Sequence, residues 1–221
     1  MKKAEREALK KQRLEEMKAF DGQFKEKDHD FICGADEVGR GPLAGPVLAA
    51  AVVLPDDFDV PGIDDSKKLS EKKRRELSGI ILERAAAYGF GIRDHAVIDE
   101  INVLNAAKAA MRDAVLEAAE MLRARRGAVP GRVLLDAVTL EELPYPQVPV
   151  VKGDQKSLSV AAASIIAKVR RDDMMIGYAE KYPGYGFESN KGYGTKAHYE
   201  GLREHGVTPI HRKSFLKKFL K

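Results

Sequence analysis

Three apolar runs in this chain end on acids. Phe31-Ile-Cys-Gly-Ala leads into Asp36-Glu37, Val133-Leu-Leu leads into Asp136, and Gln147-Val-Pro-Val-Val leads through Lys152-Gly into Asp154. Short apolar runs of this kind predict buried strands. Groups at strand ends sit in loops held by a rigid sheet, where binding and catalytic residues collect. Carboxylates crowded together repel one another unless a cation lies between them. A divalent cation meets that need, and an all-oxygen ligand set favours Mg²⁺ or Mn²⁺ over zinc. Two such ions about 4 Å apart can activate a water and stabilise a leaving 3′ oxygen at phosphorus, chemistry that requires no nucleophilic side chain. The same acids would also serve as strand-end caps and turn residues, and spacing alone does not separate the two readings. Asp36 and Glu37 carry a further condition. Neighbours on a regular strand face opposite sides, so both reach one ion only if the strand breaks or bulges at Glu37, which Gly39 makes feasible.

Two glycine-rich segments offer substrate contacts. Gly39-Arg40-Gly41 exposes bare backbone to which a ligand could come close; read alone it is also an ordinary tight turn. Lys191-Gly-Tyr193-Gly carries a ring able to stack on a base or sugar, or simply to pack at a domain edge. Other chemistries find less support. No Ser-His-Asp arrangement stands out, the five histidines lack zinc-ligand spacing, and the single Cys33 lies within an apolar run and reads as core.

The elements that must position these groups follow from periodicity. An exposed helix is expected from Met1 to about Lys18, with a thin apolar stripe of Leu9, Met17 and Phe20. Strands follow at Phe31 to Ala35 and Leu43 to Leu54, joined as a hairpin through Gly-Arg-Gly-Pro. Ser70 caps a helix from Glu71 to about Ala87, and Tyr88 to Arg93 forms a third strand. Helical pattern returns near Ala96, with one long Ala-rich helix from Asn102 to Arg126, ended by Gly127 and Pro130. Strands at Val133 and Gln147, a helix from about Ser157 to Tyr182, a Gly-rich loop and a helix around His198 to His205 complete the chain. This order predicts an α/β fold, a five-stranded mixed sheet flanked by helices, with a C-terminal helical part.

Bulk properties narrow the classes. The chain has 221 residues with 44% hydrophobic and 33% charged, enough for one core under densely charged faces. One cysteine permits no internal disulfide, and neither a spanning apolar run nor a signal peptide is evident; a cytoplasmic location with no membrane partner is expected. Net charge is +4, yet Lys181 to Lys221 alone carries nine Lys/Arg against three Glu, a net of +6. The basic end fits a polyanionic partner, and equally a solvated surface.

Gly34 to Val47 (GADEVGRGPLAGPV) resembles the first motif of the type 2 ribonucleases H, the ribonuclease HII family. So do DSKKLS (Asp65 to Ser70), LLDA (Leu134 to Ala137), VKGDQKS (Val151 to Ser157), AAASIIAKVRRD (Ala161 to Asp172), KGYGT (Lys191 to Thr195) and PIHRKSF (Pro209 to Phe215). The matches run in order over most of the chain. The resemblance implies a ribonuclease H-like fold, endonucleolytic cleavage of RNA in RNA–DNA hybrids, and incision 5′ of ribonucleotides embedded in duplex DNA, the opening step of ribonucleotide excision repair. It implies that Asp36, Glu37, Asp136 and Asp154 form the catalytic metal-binding set, with Mg²⁺ or Mn²⁺ as cofactor and two-metal cleavage leaving 3′-OH and 5′-phosphate ends. Gly39, Arg40 and Gly41 match the segment that reads the ribose 2′-OH, and Tyr193 the tyrosine that stacks on the following deoxyribose. Lys67 and Lys152 match lysines near substrate phosphates. The sister ribonuclease HIII type differs in carrying Thr at Arg40, Glu at Asp154 and a larger N-terminal domain. The expected organisation is a helical extension over 1–28, a catalytic core over 29–180, and a basic loop and helix over 181–221 completing the substrate site. The C-terminal Phe215-Leu-Lys-Lys-Phe-Leu-Lys221 lacks the Gln of a clamp-binding peptide, so no sliding-clamp partner is expected, and one compact domain suggests a monomer.

Overall fold

A computed structural model of the protein describes residues 3–26 and 31–219. The expected boundary at residues 28 and 29 lies outside the described residues, as does the very C-terminus.

The strands are β1 (Phe31–Val38), β2 (Val47–Val53), β3 (Ala87–Arg93), β4 (Pro130–Asp136) and β5 (Gln147–Val150). They form one mixed sheet in the order β3-β2-β1-β4-β5, antiparallel across the first three and parallel from β1 to β5. This is the five-stranded mixed sheet expected from the sequence. Alternation along the strands sends Cys33, Ala35, Val47, Ala49 and Ala51 to one face and Leu48, Ala50 and Val52 to the other. Both faces are covered, which explains why β2 reads as an unbroken apolar run.

On the first face lies α4 (Val103–Arg126), with Ala106, Ala110, Ala114 and Ala118 along its buried stripe. The alanines and Gly91 bring helix and strand almost backbone to backbone: a Cβ on Gly91 would stand 1.8 Å from the Ala110 carbonyl oxygen. On the second face lie α2 (Glu71–Arg84) and α6 (Leu158–Lys181), joined by α1 (Lys3–Gly22). Leu14 and Met17 of α1 are buried in the same cluster as Leu48 and Ile81, each worth about 1.5–3 kcal/mol on burial. Leu9, assigned to the helix's apolar stripe from sequence, is instead exposed. A separate cluster of Leu43, Met175, Tyr185, Phe187, Leu202 and Ile210 seats α7 (Phe187–Asn190) and α8 (Lys196–His205) against the end of α6.

Several boundaries differ from the sequence expectation. β2 begins at Val47 rather than Leu43, because Pro42, Pro46 and Gly45 at φ +84° stop residues 43–46 from joining the ladder. The helical stretch after β3 splits into α3 (His95–Ile101) and α4 at Asn102, whose φ of +66° breaks the helix while its side chain caps the next one. α2 stops at Arg84, and β3 starts one residue early. The Gly-rich loop contains the single turn α7.

Candidate active site

The parallel register of β1 on β4 pairs Ala35 with Leu135, which brings Asp36 and Asp136 side by side on the face covered by α6. Val150 pairs with Asp136, and the chain then turns through Lys152 at φ +57° into the one-turn helix α5 (Gly153–Lys156). That turn carries Asp154 back toward the strand ends. The Gly153 N–H donates to Asp136 Oδ1 at 2.7 Å, tying the Asp136 carboxylate to the backbone just before Asp154.

Glu37 arrives differently from the sequence expectation. β1 continues to Val38 with an unbroken register against β2, Asp36 opposite Ala50 and Glu37 opposite Ala49, so no bulge intervenes. Alternation therefore directs Glu37 to the other face. It stands one residue before the end of the strand, and its longer side chain still leaves its carboxyl within the field of Asp136.

The electrostatics of the group are unfavourable as it stands. Burial first, then the Glu37 charge, raise the Asp36 carboxyl well above its ordinary value, against hydrogen bonds from Ser164 and the Glu37 N–H. Burial raises Glu37, reinforced by Asp136 and opposed by Arg40 at 3.1 Å. Burial raises Asp154, reinforced by Asp65 and Asp136. Lys67 stands 3.8 Å from Asp154. Partial burial disfavours its charge, but Asp154, Asp65, Asp36 and Asp136 together raise its pKa. Its side chain is 81% exposed, and such a pair returns about 1 kcal/mol at most. Two carboxylates about 4 Å apart repel by about 4 kcal/mol at an effective dielectric of about 20, so one exposed lysine does not neutralise the group. Glu37 Oε2 is buried with no hydrogen-bond partner, a vacancy in its coordination that a cation would fill. Among the described residues no three acidic, His or Cys side chains form a ready-made cage for an ion.

Of the other expected residues, Arg40 and Lys67 reach the acids directly. Gly39 takes φ +93° as the chain leaves β1, and Arg40 reaches back to Glu37. Tyr193 is 44% exposed, and a Cβ built on Gly41 would lie 3.3 Å from its Cε1; ring and loop are neighbours. Lys152 is exposed at its left-handed turn and makes no ion pair with the four acids among the described residues.

Four features escaped the sequence reading. Asp65 is buried beside Asp154, accepting from Gln155 at 3.4 Å. Ser66 and Ser164 share a buried hydrogen bond at 2.9 Å behind Asp36. Arg171 and Arg212 are fully buried, and their hydrogen bonds among the described residues go to backbone carbonyls. His198 and His211 pair at 2.9 Å. The one available signal was an arginine, Arg171, on the apolar stripe of α6.

Comparison with known proteins agrees in sequence and in shape. The family model described as Ribonuclease HII matches residues 33–218. A ribonuclease HII of Caldanaerobacter subterraneus is 49% identical over 209 residues, 95% of this chain and 83% of its own length. One from Clostridioides difficile is 49% identical over 219 residues, 99% of this chain and 83% of its own. Among solved structures, the Archaeoglobus fulgidus ribonuclease HII, in a complex with PCNA, superposes with a TM-score of 0.65 at 26% identity, covering 86% of this chain and 95% of that one. Pyrococcus horikoshii ribonuclease H2 gives 0.64 at 24%, covering 86% and 99%.

Proposed function

The chain belongs to the ribonuclease HII family and is a nuclease of the ribonuclease H class; on that premise we propose that it incises duplex DNA on the 5′ side of an embedded ribonucleotide and cleaves the RNA strand of RNA–DNA hybrids. The observation that supports this reading is that Asp36 and Asp136 end neighbouring parallel strands, Glu37 and Asp154 both feel the charge of Asp136, and Gly41 lies against the Tyr193 ring.

Asp36, Glu37, Asp136 and Asp154 would hold Mg²⁺ or Mn²⁺, a fit supported by the raised pKa values of Asp36, Glu37 and Asp154 and by the unpartnered Glu37 Oε2. Bound there, a pair of such ions supplies an activated water and charge neutralisation at the leaving 3′ oxygen, giving 3′-hydroxyl and 5′-phosphate ends. The chain's own residues do the selecting. Ser164, backed by Ser66, orients Asp36, and the Gly153 N–H orients Asp136. Lys67 and Lys152 offer positive charge to the flanking phosphates. The Gly39–Gly41 backbone probes the 2′-OH, the one group that marks ribose. Tyr193 packs on the next sugar, where a deoxyribose fits and a 2′-OH would crowd the ring. The N-terminal residues act as a brace: Arg13 donates to the Gln155 carbonyl next to Asp154, and Asp21 accepts from the Ser159 N–H at 2.9 Å at the start of α6. Among the described residues no helix is long and apolar enough to cross a membrane.

Product mapping tests the proposal. A duplex with one internal ribonucleotide, incubated with Mg²⁺, should yield a single cut 5′ of that residue, and Asp136→Asn should abolish it with the fold intact. A cut at another position, or full turnover by the Asp136→Asn protein, would contradict it.

A further inference from the structure

The two substrate-reading elements come from distant parts of the sequence, and neither is held by a regular ladder. Both are tied to the same three-residue segment, Ile210-His211-Arg212. This segment bridges Ala44 opposite His211, with Gly45 N–H donating to Ile210 O at 2.9 Å and Arg212 N–H to Leu43 O at 2.9 Å.

Arg212 is fully buried. Its guanidinium donates to Gly39 O at 2.6 Å, Arg40 O at 3.0 Å, and Gly45 O at 2.8 and 3.0 Å. Such a charge is costly to bury without a carboxylate, so every donor counts. Burial, with Arg171 close by, pushes its pKa down to about 9. The consequence for the loop is geometric. All peptides are trans, so each N–H points opposite to the carbonyl of its own peptide. With the Gly39 and Arg40 carbonyls turned in to Arg212, the N–H groups of Arg40 and Gly41 face away from it, as donors for a substrate oxygen.

His211 governs the other element. The Thr208 N–H donates to His211 Nδ1 at 2.8 Å, which leaves the His211 proton on Nε2. That proton goes to His198 Nε2 at 2.9 Å, and His198 Nδ1–H then donates to Tyr193 O at 2.9 Å. The chain of donors has one direction and requires both rings neutral. Arg171 adds a cross-tie, donating to Ala44 O and Pro46 O on one side and Lys191 O on the other.

We propose that His211 and Arg212 are positioning residues that fix the spacing between the Gly39–Gly41 backbone and the Tyr193 ring, and thereby set how strictly the enzyme demands one 2′-OH followed by a deoxyribose. This rests on the ribonucleotide-incision reading. Neither residue touches substrate; each acts through a carbonyl of a residue that does.

The test is the ratio of single-turnover rates on two substrates, a duplex with one embedded ribonucleotide and a full RNA–DNA hybrid, with melting temperature measured alongside. Arg212→Lys keeps the charge but loses the planar fork, and should cut the ratio about tenfold. His211→Ala should also lower the ratio, and His211→Gln should restore most of it, since the Gln amide can still donate to His198. A general loss of folding would lower both rates together and leave the ratio alone. The proposal is overturned if both Arg212→Lys and His211→Ala keep the wild-type ratio, or if both lower the two rates in parallel. Should wild type itself fail to cut at the embedded ribonucleotide, the fault lies in the functional reading rather than in the positioning role.

Discussion

Alanine at Gly41 adds one methyl group where the loop and the ring come closest. Its Cβ would lie 3.3 Å from Tyr193 Cε1 and 4.0 Å from Cδ1, inside the about 3.5–4.0 Å optimum for carbon contacts. The ring must retreat by a few tenths of an ångström, which an exposed side chain does cheaply. Gly41 does not occupy the left-handed region, so the backbone accepts alanine and global stability should change by less than about 1 kcal/mol. The substrate is affected more. On the proposed reading, the methyl would stand on the surface that the sugar approaches, and the displaced ring would no longer meet the next sugar. Losing one hydrogen bond and part of a stacking contact amounts to about 1.4–2.8 kcal/mol, roughly ten- to hundredfold in kcat/KM. The assay is single-turnover cleavage of a duplex with one ribonucleotide, run with Tyr193→Ala and the double variant. If the methyl acts only by moving the ring, the double variant equals Tyr193→Ala; if it also blocks the sugar, the losses multiply. A Gly41→Ala protein within twofold of wild type would refute the reasoning.

Other consequences are as direct. Asp36→Asn should raise the melting temperature at pH 7 in chelator while abolishing activity, because the raised Asp36 pKa means the folded state disfavours its charge; that penalty grows as pH rises through the folded value, so the gain should vanish in acid, and an unchanged or lower melting temperature at pH 7 would count against it. Burial above all pushes His211 down to about 4 from 6.5, so its neutral form stabilises the fold above pH 6.5 and that contribution, about 3 kcal/mol, is lost as pH falls toward 4. Melts of wild type against His211→Gln between pH 7 and 5 should converge, and parallel curves would exclude the effect. Met17→Ala should cost about 2–4 kcal/mol in denaturant unfolding, since Met17 is fully buried; a loss under about 0.5 kcal/mol would make α1 an appendage.

The sheet was legible because its strands are apolar runs punctuated by glycine and acids, and the sequence alternates strand and helix periods. Asp36 and Asp136 were legible as candidates for the same reason, each ending such a run, and Asp154 because it follows one after a Lys-Gly turn. How Glu37 joins them was not, because alternation alone demands a bulge, whereas the actual solution depends on side-chain reach at a strand terminus. Residues 43–46 read as strand on composition, yet they turn away to pair with residues 210–212, a contact no local pattern encodes. Arg212 and His211 stayed hidden in a basic tail that read equally as a polyanion-binding or a solvated surface; only tertiary burial distinguishes a charge held by carbonyls from one facing water. Asp65 sat in a loop rich in Asp, where one buried acid cannot be told from exposed ones by sequence.

The central claim, that the loop and ring read a single ribose beside a carboxylate site, is tested most directly by two duplexes identical except for one 2′-OH. With Mg²⁺ and excess enzyme, the account predicts a single cut 5′ of the ribonucleotide in one duplex and no cleavage of the all-DNA duplex on the same timescale. Equal rates on both would contradict it.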